Sequence, residues 1–196
     1  GSVSLDKAGG AFDYQLTILN SGFADCGRAI PYAVYLLPES ERDVTKGVLL
    51  ASGSIEGGLM QGAIERRTVT NVTAPSNVGY YRLALVVDPN ATIAELDEAN
   101  NTAWSNGFYV GPAYSVRASV DGEIFERGAH VVISGAATRI GAVEPAVNVD
   151  VDVYVVCDGI RTTLRTKTDA VGQFSVMYQP TSGVCGHCIV GACYPG

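Results

Sequence analysis

Val149-Asp150-Val151-Asp152-Val153-Tyr154-Val155-Val156-Cys157 places an apolar side chain at every second position, with Asp150, Asp152 and Tyr154 between them. A period of two belongs to a strand with one buried face. Val149, Val151, Val153, Val155 and Cys157 are therefore expected to point together into a core. Nearby segments repeat the pattern. Val131 alternates with Ile133, and Phe174 with Val176 and Tyr178, while Ile189-Val190-Gly191-Ala192 reads as a last strand. Thr168-Asp169-Ala170-Val171-Gly172-Gln173-Phe174 has Asp and Gly placed for a tight turn between two strands.

The first half speaks the same language. Tyr14, Leu16 and Ile18 alternate, as do Tyr81, Leu83, Leu85 and Val87, and weaker strands run over residues 30–37, 48–55, 66–72 and 103–110. Asn20-Ser21-Gly22, Pro38-Glu39-Ser40, Gly57-Gly58 and Pro75-Ser76-Asn77 supply the turns. Only residues 94–99 look helical, enough for a single turn. Val110-Gly111-Pro112-Ala113 breaks the chain between apolar strands, because Pro removes a ladder donor and Gly frees the backbone. The expectation is an all-β chain of two tandem immunoglobulin-like β-sandwich domains, residues 1–112 and 113–196.

Composition excludes several functions. Across 196 residues, 20 acids face 13 bases for a net charge of −7, so a basic footprint for nucleic acid is missing. The chain is too apolar for disorder, and no apolar run approaches the roughly 18 residues of a membrane span. The opening Gly1-Ser2, with no signal peptide, reads as a piece of something larger.

One stretch is distinctive: Val87-Asp88-Pro89-Asn90-Ala91-Thr92-Ile93-Ala94-Glu95-Leu96-Asp97-Glu98-Ala99-Asn100-Asn101-Thr102. A strand ending in Val-Asp-Pro, then an acidic loop closing on Glu-x-x-Glu-x-Asn-Asn, resembles the CARDB family, the cell-adhesion-related domain found in bacteria. Leu19-Asn20-Ser21-Gly22-Phe23-Ala24-Asp25 is similar to that family's early Asn-x-Gly turn, and Pro75 followed by Gly79-Tyr80-Tyr81 to its penultimate strand. The resemblance spans residues 3–110 and implies an immunoglobulin-like sandwich within multidomain secreted or surface proteins. The departure is a long connection over residues 39–47, expected to reshape one sheet edge. Residues 115–196 resemble, more weakly, bacterial Ig-like and carboxypeptidase-regulatory-like sandwiches, which implies a spacer or binding module and no enzyme.

The acidic loop has two readings. Glu95, Glu98, Asn100 and Asn101 can satisfy loose backbone groups around a corner, which is the preferred reading. Alternatively, Asp88, Asp97, Glu98 and Asn100 are hard oxygen donors for calcium, which takes roughly six to eight of them, though an EF-hand spacing is missing. No metal or cofactor is expected, with calcium as the rival.

Five cysteines stand at 26, 157, 185, 188 and 193. Cys26, alone in its domain, reads as a small buried thiol. Cys157, Cys185, Cys188 and Cys193 are disulfide candidates, with Cys157 facing inward and the last strand its partner element; spacing does not say which cysteine. Cys185-Gly186-His187-Cys188 spells the dithiol of protein disulfide isomerase, but that motif needs a following helix, and a strand follows here. Cys185, His187, Cys188 and Cys193 form a zinc alternative that lacks a second Cys-x2-Cys or His pair.

His130, before a strand, reads as a surface side chain, and no nucleophile elbow, zincin motif, P-loop or Rossmann glycine pattern occurs. Trp104 reads as packing in the last strand of its domain. One of the adjacent Tyr80 and Tyr81 must face outward, and Tyr80 and Trp104 are the candidates for stacking on sugar. The chain is thus expected to be a non-catalytic structural or adhesion unit of an extracellular or cell-surface protein. Its partners would be neighbouring domains and an unidentified protein or glycan, met by an exposed edge strand or loop end. The alternative is a carbohydrate- or calcium-binding accessory module of a secreted enzyme.

Overall fold

The computed structural model describes residues 7–95, 97–122, 126, 128–181 and 186–195. The chain separates into two compact units, Gly1–Gly111 and Pro112–Gly196. Among the described residues there is no α-helix, and the fold is all-β.

The first unit holds β1 (Ala11–Leu19), β2 (Ile30–Pro38), β3 (Val48–Ile55), β4 (Ile64–Thr73), β5 (Gly79–Val87), β6 (Thr102–Trp104) and β7 (Phe108–Val110). β1 pairs with β4 in a two-stranded sheet, and a second sheet runs β3-β2-β5-β6 with β7 also on β5, every pair antiparallel. β1 alternates strictly: Phe12, Tyr14, Leu16 and Ile18 are buried and the residues between them exposed. β2 and β5 are central strands, and Leu37 and Ala84 are covered and fully buried on the face turned away from β1.

Part of that cover is the connection over residues 39–47, which lies against the outer face of β2. A Cβ at Gly47 would fall 2.9 Å from Tyr35 Cβ and 3.1 Å from Leu37 Cγ, so only glycine lets the connection come this close. It contains a short 3-10 turn, Val44–Lys46, absent from the sequence reading and capped by Asp43, which accepts from the Thr45 amide at 3.0 Å.

The second unit pairs β8 (Tyr114–Val120), β9 (Val131–Arg139) and β12 (Gln173–Tyr178) in the order β12-β9-β8. Against them stand β10 (Asp150–Cys157), β11 (Ile160–Lys167) and β13 (Cys188–Cys193) in the order β11-β10-β13. Val151, Val153, Val155 and Cys157 turn inward onto Ile133, Phe174 and Tyr178. Val149 precedes β10 and packs with Tyr114, Ala137 and Ala146. Buried Thr168 fixes the turn before β12, its hydroxyl donating to Ala146 O at 2.7 Å and accepting from Val149 N at 3.0 Å. Asp169 Oδ1 accepts from the Val171 and Gln173 amides, both at 2.9 Å.

Two expectations are corrected. Residues 103–110 are not one strand. β6 pairs Trp104 with Ala84, whereas β7 pairs Phe108 with Tyr81, so four steps along one strand match three along the other. The extra residue is a bulge at Ser105-Asn106-Gly107. Ser105 Oγ accepts from Leu83 N at 2.9 Å and donates to Asn106 O at 2.8 Å, standing in for a ladder group. The second correction concerns residues 94–99. The single turn of helix in that loop lies at Glu98–Asn100, where the Asp97 side chain accepts from the Ala99 amide.

Candidate interaction surface

β1 and β4 make a narrow sheet opposite a wider one, and the inner faces of β5 and β6 extend past them. Among the described residues β1 pairs only with β4. Beside them lies an open cleft of about 930 Å³. Its floor is apolar, with Ile18, Ile30, Leu85, Val87, Ile93 and Ala103 among the lining residues. Ile18, Ile30 and Ile93 are buried, Leu85 and Val87 half-buried, and Ala103 exposed. Asp25, Arg28, Glu95 and Asp97 are the charged residues of its lining.

Two loops frame the cleft. Residues 20–28 are held by Asn20, whose amide donates to Ala24 O and Leu59 O, both at 2.9 Å, and whose Oδ1 accepts from Gly22 N at 3.0 Å. Asp25 accepts from the Gln61 amide at 2.7 Å. Cys26 exchanges two backbone bonds with Leu59, and its side chain is half-buried rather than buried as expected. Phe23, at 86% exposure, presents a large apolar ring to solvent within the same loop.

The other loop hangs from Asp88, which is buried in a left-handed backbone conformation (φ 46°). One carboxylate oxygen accepts from Ile93 N at 2.6 Å, the other from Thr92 Oγ1 at 2.8 Å, and Asp88 N donates to Pro31 O at 2.7 Å. Burial pushes this carboxyl up, but the Ile93 and Thr92 bonds and the Arg28 charge outweigh it, leaving the pKa below the ordinary value. Arg28 also donates to Thr92 O. Further along, Glu98 Oε1 accepts from Glu95 N at 2.9 Å and Oε2 from Asn101 Nδ2 at 3.1 Å. Burial, and then the charges of Glu98, Asp88 and Asp97, raise the Glu95 pKa.

The calcium candidates are thus spread over separate tasks. Asp88 holds Ile93 and Thr92, Asp97 caps the turn at Glu98–Asn100, and Glu98 ties Glu95 to Asn101. Asn100 is exposed at the end of that turn. Among the described residues, no three acidic, histidine or cysteine side chains gather as a metal site would require.

Cys157 is disulfide-bonded to Cys188, its direct neighbour across β10 and β13, with Cα atoms 4.4 Å apart. This removes Cys188 from the zinc set, since a disulfide sulfur has no thiolate to offer. His187 is exposed beside it, Cys193 keeps a free thiol 3.8 Å from an Arg161 nitrogen, and Cys185 lies outside the described residues. Cys188 opens a strand, not the helix that an isomerase dithiol requires. His130 is exposed before β9.

A second surface occupies the outer face of the wider sheet. Tyr80 and Tyr109 stand opposite each other, 63% and 47% exposed, with ring centroids 5.0 Å apart. Trp104 lies on the same face, with the Arg42 and Arg82 guanidinium carbons 5.9 and 5.7 Å from its centroid. Uninterrupted alternation would have set Tyr109 and Trp104 on opposite faces; the bulge between them brings both outward. Tyr109 was therefore missed, and Trp104 stacks on arginine at a half-buried site.

The described residues define an immunoglobulin-like β-sandwich module whose distinctive features are an apolar cleft and an aromatic outer face. The chain belongs to the CARDB family, whose model matches residues 6–105, from just before β1 through β6. No curated protein matches it. Among solved structures it is similar to the D0-D1 domain of intimin (18% identity, 98% of this chain, 87% of that one, TM-score 0.33). It is also similar to the calcium binding domain CBD12 of CALX1.1 (10% identity, 85% and 68%, TM-score 0.30). A third likeness is to the class 5 fimbriae chaperone CfaA (10% identity, 99% and 97%, TM-score 0.27).

Proposed function

We propose that this chain is a non-catalytic adhesion module of a larger secreted or cell-surface protein, serving as a protein-interaction unit and spacer. The observation that carries this reading is the solvent-open apolar cleft of the first unit, with Phe23 exposed in the loop that frames it. Exposed apolar surface gathered in one place marks a site of protein interaction. Membership of the CARDB family supports the same reading. The test is deletion of residues 7–111 from the full-length protein in its own cell, with surface display checked by antibody. Loss of attachment between cells or to a substratum supports the reading; unchanged attachment at equal display overturns it.

The exposed Tyr80–Tyr109 pair favours a second reading, a glycan-binding accessory module. Aromatic rings offer apolar faces to the C–H faces of sugars while their hydroxyls stay in water. Glycan-array binding that disappears in both Tyr80→Ala and Tyr109→Ala supports it, and a blank array removes it.

A further inference from the structure

Resting on the glycan reading of the outer aromatic face, we infer that its ligand is a glycan bearing an isolated carboxylate. A sugar ring lies on Tyr80 and Tyr109, and the carboxylate is met by Arg42. The connection over residues 39–47 sets Arg42 in place. Its Nη1 donates to Glu39 O and to Glu41 O, the latter at 3.1 Å, and its guanidinium carbon stands 5.9 Å from the Trp104 centroid. Two backbone acceptors and an aromatic ring thus fix the guanidinium before a ligand arrives, which lowers the entropy lost on binding. Its Nε and Nη2 donate to nothing among the described residues. Those two nitrogens form the edge that meets a carboxylate with two parallel hydrogen bonds.

Every other charge of the connection is engaged. Glu39 lies 3.7 Å from Arg82, which is itself only 13% exposed. Glu41 lies 3.1 Å from Lys46 and accepts from the Arg42 and Asp43 amides, and Asp43 accepts from Thr45. Arg42 is exposed and has no carboxylate partner among the described residues. The cation is continuous with the aromatic pair. Glu39, whose carbonyl holds Arg42, donates its own amide to Tyr80 O at 2.8 Å, and the Tyr80 and Tyr109 rings are 5.0 Å apart. The path from rings to cation therefore runs through one residue, a distance that a short oligosaccharide covers. A densely charged polymer is opposed by the net charge of −7 on the chain. One carboxylate on otherwise neutral sugars meets the free fork and leaves C–H faces for the tyrosines.

The probe is an array of sialylated and uronate-bearing oligosaccharides, each printed beside its methyl ester, with neutral parent sugars and sulfated analogues alongside. Glycans that bind are titrated against the full 196-residue chain by calorimetry. The sialic acid and uronate arms tell which source of carboxylate fits. At least one carboxylated glycan should bind, and its methyl ester, which keeps the ring and removes the charge, should bind at least tenfold more weakly. Arg42→Ala should weaken binding at least tenfold, and Arg42→Lys, which keeps the charge without the fork, several-fold. Tyr80→Ala and Tyr109→Ala should each abolish it. Arg161→Ala, which removes a guanidinium 4.4 Å from the Tyr154 ring in the second unit, should leave it unchanged. All four positions are exposed, and an unchanged urea midpoint checks that each variant folds. The inference is overturned if no carboxylated glycan binds, if ester and acid bind equally, if sulfated analogues alone bind, or if Arg42→Lys binds as tightly as the wild-type chain. Neutral sugars that bind through Tyr80 and Tyr109 with no preference for a carboxylate leave the glycan reading standing and remove only this inference. A blank array removes both.

Discussion

Removing the Asp88 carboxylate should unfasten the whole loop that frames the cleft. In Asp88→Ala, the Ile93 amide, beside an isoleucine only 8% exposed, loses its acceptor, at a cost of about 1–3 kcal/mol for an unsatisfied buried donor. The Thr92 hydroxyl is less confined and adds about 0.5 kcal/mol. Alanine also tolerates the positive φ less well than aspartate, which adds about 0.5–1 kcal/mol. The sum is roughly 3 kcal/mol, or a urea midpoint lowered by about 1.5–2 M at an ordinary denaturant slope. Asp88→Asn keeps the backbone preference and one acceptor, so about 1 kcal/mol is expected. Because the carboxyl has a lowered pKa in the folded state, its stabilisation is complete above the unfolded value near pH 4. It fades as pH falls through the folded value. The difference between the wild-type chain and Asp88→Asn should shrink accordingly below pH 4. Trp104, the sole tryptophan, belongs to the first unit, and its fluorescence during urea unfolding reports on that unit alone. A midpoint shift under 0.5 M for Asp88→Ala refutes the reasoning. So does a calcium-dependent rise in the wild-type midpoint that Asp88→Asn abolishes, since the carboxylate would then be holding a cation.

Replacing both Cys157 and Cys188 by alanine reopens a loop of 31 residues, and chain entropy puts the loss at about 3–4 kcal/mol, measurable as a lower thermal midpoint of the second unit alone. Gly58→Ala should destabilise the first unit by more than about 3 kcal/mol in urea titration. Its φ is 77°, and a Cβ would fall 1.7 Å from Cys26 O, where the backbone cannot yield cheaply. Acid should loosen the connection over the outer face. Hydrogen bonds from the Asp43 amide, Lys46 and the Arg42 amide hold the Glu41 carboxyl down to about 2. With the folded pKa below the unfolded one, these contacts are intact above about pH 4.3 and lost as pH falls towards 2. Trp104 emission should change over that interval as Arg42 leaves its ring, and should stay flat in Glu41→Gln.

Legibility in the sequence followed the physics of each element. β10 was plain because Val151, Val153 and Val155 bury one face and Asp150 and Asp152 mark the other. β11 was not, since Ile160–Lys167 lies at a sheet edge and is nearly all exposed, with Leu164 and Thr166 alone half-buried, so burial imposes no strong alternation. The acidic loop was recognisable as a unit, but which amide each carboxylate would hold depends on contacts such as Asp88 with Ile93. The cleft was invisible, because its lining comes together from distant segments, and pairing across distant segments leaves no local pattern. The outer aromatic face was hidden by a single residue. Without the bulge at Ser105-Asn106-Gly107, Tyr109 would have been counted inward.

The cross-strand disulfide matters in mechanical terms. A module in an adhesive chain is loaded by pulling on its ends, and each domain that yields normally releases its whole contour length. Here the 31-residue separation between Cys157 and Cys188 is closed by a covalent bond, so that stretch stays slack under tension while the thiols are oxidised. At roughly 3.4 Å per extended residue, about 105 Å of release is withheld. Peeling of β13 from its C-terminal end also halts at Cys188. The second unit is thereby a shorter and stiffer tether in an oxidising medium than in a reducing one, and a single-molecule stretching trace would register the difference as a missing length.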